Sequence, residues 1–189
     1  MGFTASASQL IHLSRRFVGS LWPGPPAAVD ESWARDLLLP GEQLIWARMN
    51  NPDKRHAVGV ARAVAEEFDA PVSRPVLAAA LLHDSGKVVS QLRTPARVLA
   101  TVLWAVLDGD VARRWVDAAD AADAADSPAA RWRTRMGRYR LHPELGAELL
   151  AQAGADPLTV AWAREHHLAP ERWTIQPEGA MVLKACDDD

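Results

Sequence analysis

The residues of this chain best suited to chemistry are His83 and Asp84, which close an apolar run from Val76 to Leu82 and open the segment Asp84-Ser85-Gly86-Lys87. An imidazole and a carboxylate at the end of a buried helix are costly if left unpaired. A metal ion would satisfy both. Histidine supplies a neutral nitrogen and aspartate a hard oxygen able to bridge, a donor mix suited to a divalent transition metal. Gly86 reads as the residue that lets the chain turn where the helix ends, and Lys87 sets a cation beside the pair. A buried histidine capped by its neighbouring aspartate is the simpler alternative, and this segment alone does not separate the two.

The chain has six histidines. Leaving His12 aside, the others sit in helical contexts: RHAVGVARAVAEEF carries His56, HPELGAELLAQAG opens on His142, and LTVAWAREHH closes on His166 and His167. Each falls at or near a helix end, where several helices can converge on one point. A helix dipole would favour a protonated histidine at a C-terminus, which accounts for His166-His167 but not for the other three. An acidic cluster, Asp187-Asp188-Asp189, follows.

The order His, His-Asp, His, His-His, Asp resembles the HD-domain metal-dependent phosphohydrolase superfamily, in its branch with two or more metals. HDSGK is close to that family's HD-x-G-K core, and HPELGAELL is similar to the segment bearing the branch's middle histidine. The likeness covers Pro52 to Asp189 with one long insert. It implies a first metal held by His56, His83, Asp84 and Asp187, with Asp188 a competitor for the last place. It implies a second metal on His142, His166 and His167, a bridging role for Asp84, and Lys87 facing the substrate phosphate. After His166-His167 the HD-GYP subgroup has a Glu and a Gly-Tyr-Pro loop. Here the run is Leu168-Ala169-Pro170-Glu171-Arg172-Trp173, so cyclic-di-GMP hydrolysis is not implied.

The activity so implied is metal-dependent hydrolysis of a nucleotide or another small phosphate mono- or diester, with Asp84 and Lys87 as catalytic residues. Nitrogen-rich ligation favours Fe, Mn, Zn, Ni or Co over magnesium, with two ions expected. Glu144, Glu165 and Glu171 are open choices for a general acid. One alternative is a single-metal HD nucleotidase using His56, His83, Asp84 and Asp187. Another is a non-catalytic metal-containing binding or sensor module that docks through its Trp-rich insert.

The elements that must position these residues read as helices throughout. The expected fold is all-α, an HD-domain helical bundle in one domain over 1–189, with bracing N-terminal helices in 1–50 and a helical insert in 90–140. Ser8 to Trp22 has helical spacing and includes His12; Pro23 to Ala28 reads as a turn. Short helices are expected over Trp33–Leu39 and Glu42–Met49. Asn51-Pro52-Asp53 is a helix start, and the helix it opens places His56, Val60, Ala63, Val64 and Phe68 near one face. Ser73 is expected to cap the helix leading to His83. In the insert, Pro95 opens a helix with an apolar run from Val98 to Leu107. Asp117, Asp120, Asp123 and Asp126 then form a stripe read as a solvated face. Arg131, Arg133, Arg135, Arg138 and Arg140 interleave with Trp132 and Tyr139. These arginines either pair with the aspartate stripe or, for Arg138 and Arg140, face substrate. Pro143 and Asp156-Pro157 open two further helices, the second delivering His166-His167, and Glu178 to Asp189 reads as the last.

Composition bounds the rest. At 49% hydrophobic residues the chain can bury a sizeable core. The net charge of −3 provides no field for nucleic acid, and none is expected to bind. A single cysteine, Cys186, excludes an internal disulfide and suits a cytoplasmic setting. No apolar run reaches the length of a membrane span and no secretory signal is expected. Residues 95–107 are long enough for peripheral membrane contact, and the oligomeric state is not legible.

Overall fold

The computed structural model describes residues 24–188, apart from 69, 93, 105–106, 108 and 121–126. His12 and the helix expected over Ser8–Trp22 lie outside these residues, as do Asp123 and Asp126. Among the described residues the chain is all helical, without a strand.

The helices are α1 (Ala28–Leu37), α2 (Pro40–Arg48), α3 (Asn51–Glu66), α4 (Arg74–Leu82), the single turn α5 (Lys87–Ser90), α6 (Thr94–Trp104), α7 (Gly109–Asp120), α8 (Pro128–Arg140), α9 (His142–Gln152), α10 (Pro157–Glu165) and α11 (Pro177–Asp188), with a 3-10 turn at Pro170–Arg172. Proline occupies the first or second position of α2, α3, α4, α8, α9 and α10. Its fixed φ suits a helix start, where its missing N–H is not needed.

α4 is the centre of the bundle. From Leu77 to Leu82 every residue is buried, and the helix packs against α1, α3, α10 and α11. A helix apolar all round has no solvent face, so its C-terminus ends inside the protein. The main core gathers around it: Trp46, Val64, Leu81, Leu82, Leu150, Trp162 and Leu183 are all nearly or fully buried. A second, smaller cluster of Leu92, Ala100 and Met136, with Trp104, Trp115 and Tyr139 against it, holds the insert together. There Trp104 Nε1 donates to the Met136 carbonyl at 3.1 Å. The insert's apolar helix α6 thus lies against α8, with Leu99 and Val102 on its exposed side.

Several local expectations are revised. The first short helix begins at Ala28, well before Trp33. The cap of α3 is Asn50, whose side chain accepts from the Asp53 amide at 2.9 Å, so Asn51 is already the first helical residue. α3 stops at Glu66, so helical spacing no longer carries Phe68 to the inner face, and Phe68 is exposed. Ser73 stands at the N-cap of α4 but its side chain makes no capping bond. Gly86 adopts ordinary right-handed helical angles, φ −64° and ψ −17°. Its reason is space: a Cβ there would collide with the His142 carbonyl oxygen and lie 2.6 Å from the Gly146 nitrogen. Gly86 and Gly146 let the turn after α4 and the start of α9 meet backbone to backbone.

Candidate metal centre

Five helix ends deliver the chemistry. His83 is the C-cap of α4, His166 the C-cap of α10 with His167 next to it, and His142 the first residue of α9. His56 lies in the second turn of α3 and Asp187 in the last turn of α11. Two groups form: His56, His83 and Asp84 in one, His142, His166 and His167 in the other, with the donor atoms of each group within 4.8 Å of one another.

Asp84 stands between them. Its Oδ1 is 3.2 Å from His142 Nε2 and 3.8 Å from His166 Nε2, while its Oδ2 is 3.6 Å from His83 Nε2 and takes a short bond from Lys87 Nζ. Asp187 Oδ1 bonds His56 Nε2 at 2.9 Å and lies 3.4 Å from His83 Nε2. Asp188 is exposed and pairs with Lys184. Of the two competing aspartates, Asp187 faces the histidines.

The same local device fixes three of the rings. Nδ1 of His83, His142 and His166 bonds the backbone carbonyl three residues earlier, of Ala80, Tyr139 and Ala163, at 2.9, 2.8 and 3.0 Å. A carbonyl only accepts, so Nδ1 carries a proton and Nε2 is the atom turned to the centre. There the three Nε2 atoms are buried without a hydrogen-bond partner. Buried polar groups are normally satisfied, and three convergent, unpartnered ring nitrogens, each presented by an Nδ1–carbonyl bond, are what metal-binding imidazoles need once Nε2 is deprotonated. The donor set fits a divalent metal.

Electrostatics follow the same division. Burial would lower His83, but Asp84 and Asp187 outweigh it and raise it to about 9. Burial likewise opposes the Lys87 ammonium, which Asp84, Tyr139 and Asp53 together lift to about 12. Burial would raise Asp84 and Asp187. The charges of Lys87 and His83 hold Asp84 well below the usual carboxylate range, and the imidazoles of His56 and His83 do so for Asp187. On the other side desolvation dominates: His166 is pushed well down, helped by His83 and His167, and His167 falls to about 4, helped by His142. His167 is exposed as a residue, yet its ring packs 4.0 Å from that of His166 and 5.2 Å from that of His142. The direction for both rings is opposite to that expected of a dipole-stabilised cation at the end of α10.

Other expected residues fare differently. Arg138 is half-buried and Arg140 exposed at the end of α8; it is Tyr139, between them, whose ring lies 5.9 Å from that of His142. Glu165 is buried with both oxygens committed to the Thr174 amide and hydroxyl, at 2.7 and 2.6 Å, so it braces a loop. Glu144 faces Arg113 at 3.8 Å, and Glu171 is exposed. The sequence marks Asp53 only as part of a helix start and Tyr139 only within the arginine–aromatic run, though both act on Lys87, and it does not single out Arg97. Asp53 carried a further signal, lying three residues before His56 and therefore on its helix face.

The fold and the site together define the class. The HD-domain profile matches residues 54–188, and the chain belongs to the HD-domain family. The match begins inside α3, leaves out α1 and α2, and takes in the insert. Neither a curated protein nor a solved structure matches the chain. Family membership and the histidine–aspartate groups point to a metal-dependent hydrolase. No helix among the described residues is long and apolar enough to cross a membrane.

Proposed function

We propose that this HD domain is a phosphohydrolase with two metal ions, acting on a nucleotide or another small phosphate mono- or diester. The observation that carries the reading is the set of three buried, unpartnered Nε2 atoms around a carboxylate that turns one oxygen to each histidine group. In this reading His56, His83, Asp84 and Asp187 hold one ion and His142, His166 and His167 the other, with Asp84 shared. Bound there, a metal pair supplies Lewis acidity and a water of lowered pKa, about 7 in place of 15.7.

The chain's own residues do the rest. Asp84 keeps its charge at any working pH and fixes the spacing of the two histidine groups. The carbonyls of Ala80, Tyr139 and Ala163 hold the rings so that no reorientation is needed when substrate arrives. Lys87, charged throughout the neutral range, offers a point charge to a phosphoryl oxygen. No side-chain nucleophile is required, and Cys186 is buried on α11 among core residues.

The test is elemental analysis of wild type beside His142→Ala, with hydrolysis of p-nitrophenyl phosphate and its bis ester measured on the same samples. About two ions falling to about one, with ester hydrolysis lost, is the expected result. One ion in both proteins would favour the single-metal nucleotidase. Metal without hydrolysis would favour a binding or sensor module, and no metal in either would refute the proposal.

A further inference from the structure

From α6 of the insert, Arg97 reaches α3 beside the site. Arg97, in the first turn of α6, sends its guanidinium to Asp53 on α3: Nη1 donates to Oδ1 at 2.6 Å and to Oδ2 at 2.8 Å, and Nε donates to the Leu92 carbonyl at 3.0 Å. The pair is nearly buried, with side chains 13% and 10% exposed. Asp53 precedes His56 by one turn of the same helix, and its charge also helps hold Lys87 protonated. The guanidinium carbon lies 5.9 Å from the centre of the Tyr139 ring, which in turn lies 5.9 Å from the ring of His142. Arg97 thus lies between Asp53, whose charge acts on Lys87, and Tyr139, which stands against His142.

The guanidinium fork binds carboxylate and phosphate alike, and here the single nitrogen Nη1 spans both oxygens of Asp53, so one anion can replace the other. The exchange is eased by where Asp53 stands. It occupies the first turn of α3, where the N-terminal dipole and the cation of Lys87 stabilise its carboxylate after Arg97 leaves. Lys87 shares its one charge between Asp84 and a phosphoryl oxygen, and a phosphate monoester carries a second anionic oxygen.

We propose that Arg97 is a substrate-binding residue supplied by the insert: its guanidinium, held on Asp53, passes to a non-scissile anionic oxygen of the phosphate substrate. The proposal rests on the phosphohydrolase reading above. The competing role is a strut that merely fastens α6 to α3.

The two roles predict different signs. Inorganic phosphate, titrated calorimetrically into the metal-loaded chain at fixed salt, is the probe, and unfolding midpoints are measured alongside. If Arg97 receives the anion, Arg97→Gln weakens phosphate binding about 10-fold or more. Asp53→Asn, which removes the competing carboxylate charge, leaves binding unchanged or tightens it. Arg97→Lys, keeping the charge without the fork, falls between wild type and Arg97→Gln, and it decides the matter if Asp53→Asn does not fold. A strut predicts that Arg97→Gln and Asp53→Asn weaken binding alike, or that Arg97→Gln leaves it unchanged; either result overturns the proposal while the hydrolase reading stands. A wild type that neither binds phosphate nor hydrolyses the dye esters overturns both.

Discussion

Asp84 divides its two oxygens between two sets of histidines, so losing one negative charge affects both. Asp84→Asn keeps the shape and removes the charge. Its metal affinity, read by competition with a chelator, is expected to fall beyond the about 10–100-fold that loss of an outer-shell partner produces. Unchanged metal content in that variant would remove Asp84 from the centre. At this scale the sequence was informative, because His-Asp at the end of an apolar run is a local conflict that only a partner resolves. Asp187 was legible as the favoured one of two neighbours. The apolar-Ala-x-Asp pattern in LKACD points to it, and the facing of α11 turns that residue toward His56. Arg97 was opaque because its ion-pair partner Asp53 lies far away in the chain.

At the scale of elements, the helices that deliver the histidines were legible because their signals are local. Asn-Pro-Asp, His-Pro-Glu and Asp-Pro mark starts, and Ala-Leu-rich α4 has nowhere to lie except inside. The close meeting of α5 and α9 was not legible. It depends on two glycines, Gly86 and Gly146, that are distant in sequence and have unremarkable angles. Gly86→Ala adds a methyl group where only backbone is available to move. It is expected to cost about 1–3 kcal/mol in urea unfolding and to weaken metal binding together with stability, since His142 begins α9. A variant that unfolds normally and binds metal normally would show that the contact is slack. The insert was correctly expected to be helical, but its inner face packs on α8 through the Trp104 cluster, a tertiary choice that periodicity does not fix.

For the molecule as a whole, α1 and α2 are bound to the bundle by buried charge. Glu42, fully buried, accepts from the Leu39 amide at 2.8 Å and from Arg74 at 3.1 Å, and Arg74 also bonds Asp156 at the N-cap of α10. Removing one partner strands the other, so Arg74→Met is expected to lose about 3–5 kcal/mol in urea while metal content at full loading stays at the wild-type value. A loss below 1 kcal/mol, on the order of an exposed pair, would mean that solvent already reaches Glu42.

Global stability should also bend with pH in the metal-free chain. His166 and His167 are depressed below 6.5, so the unfolded chain takes up their protons first and stability drops as pH falls from about 6.5 toward 4. His83 is raised to about 9, so its contribution is full below 6.5 and gone above about 9. A dome in the unfolding midpoint, highest near neutrality and flattened by saturating metal, is the expected profile. A monotonic profile in the chelated protein would contradict these shifts.

The three carbonyls that hold His83, His142 and His166 have a further consequence. Because each belongs to the residue one turn back on the same stretch of chain, the rings are aimed by folding itself, before any ion is present. Ion capture then has little conformational entropy left to lose, and loading and folding become separable events in time. In the proposed centre, metal added to the folded, chelator-treated chain is therefore expected to load without any refolding step.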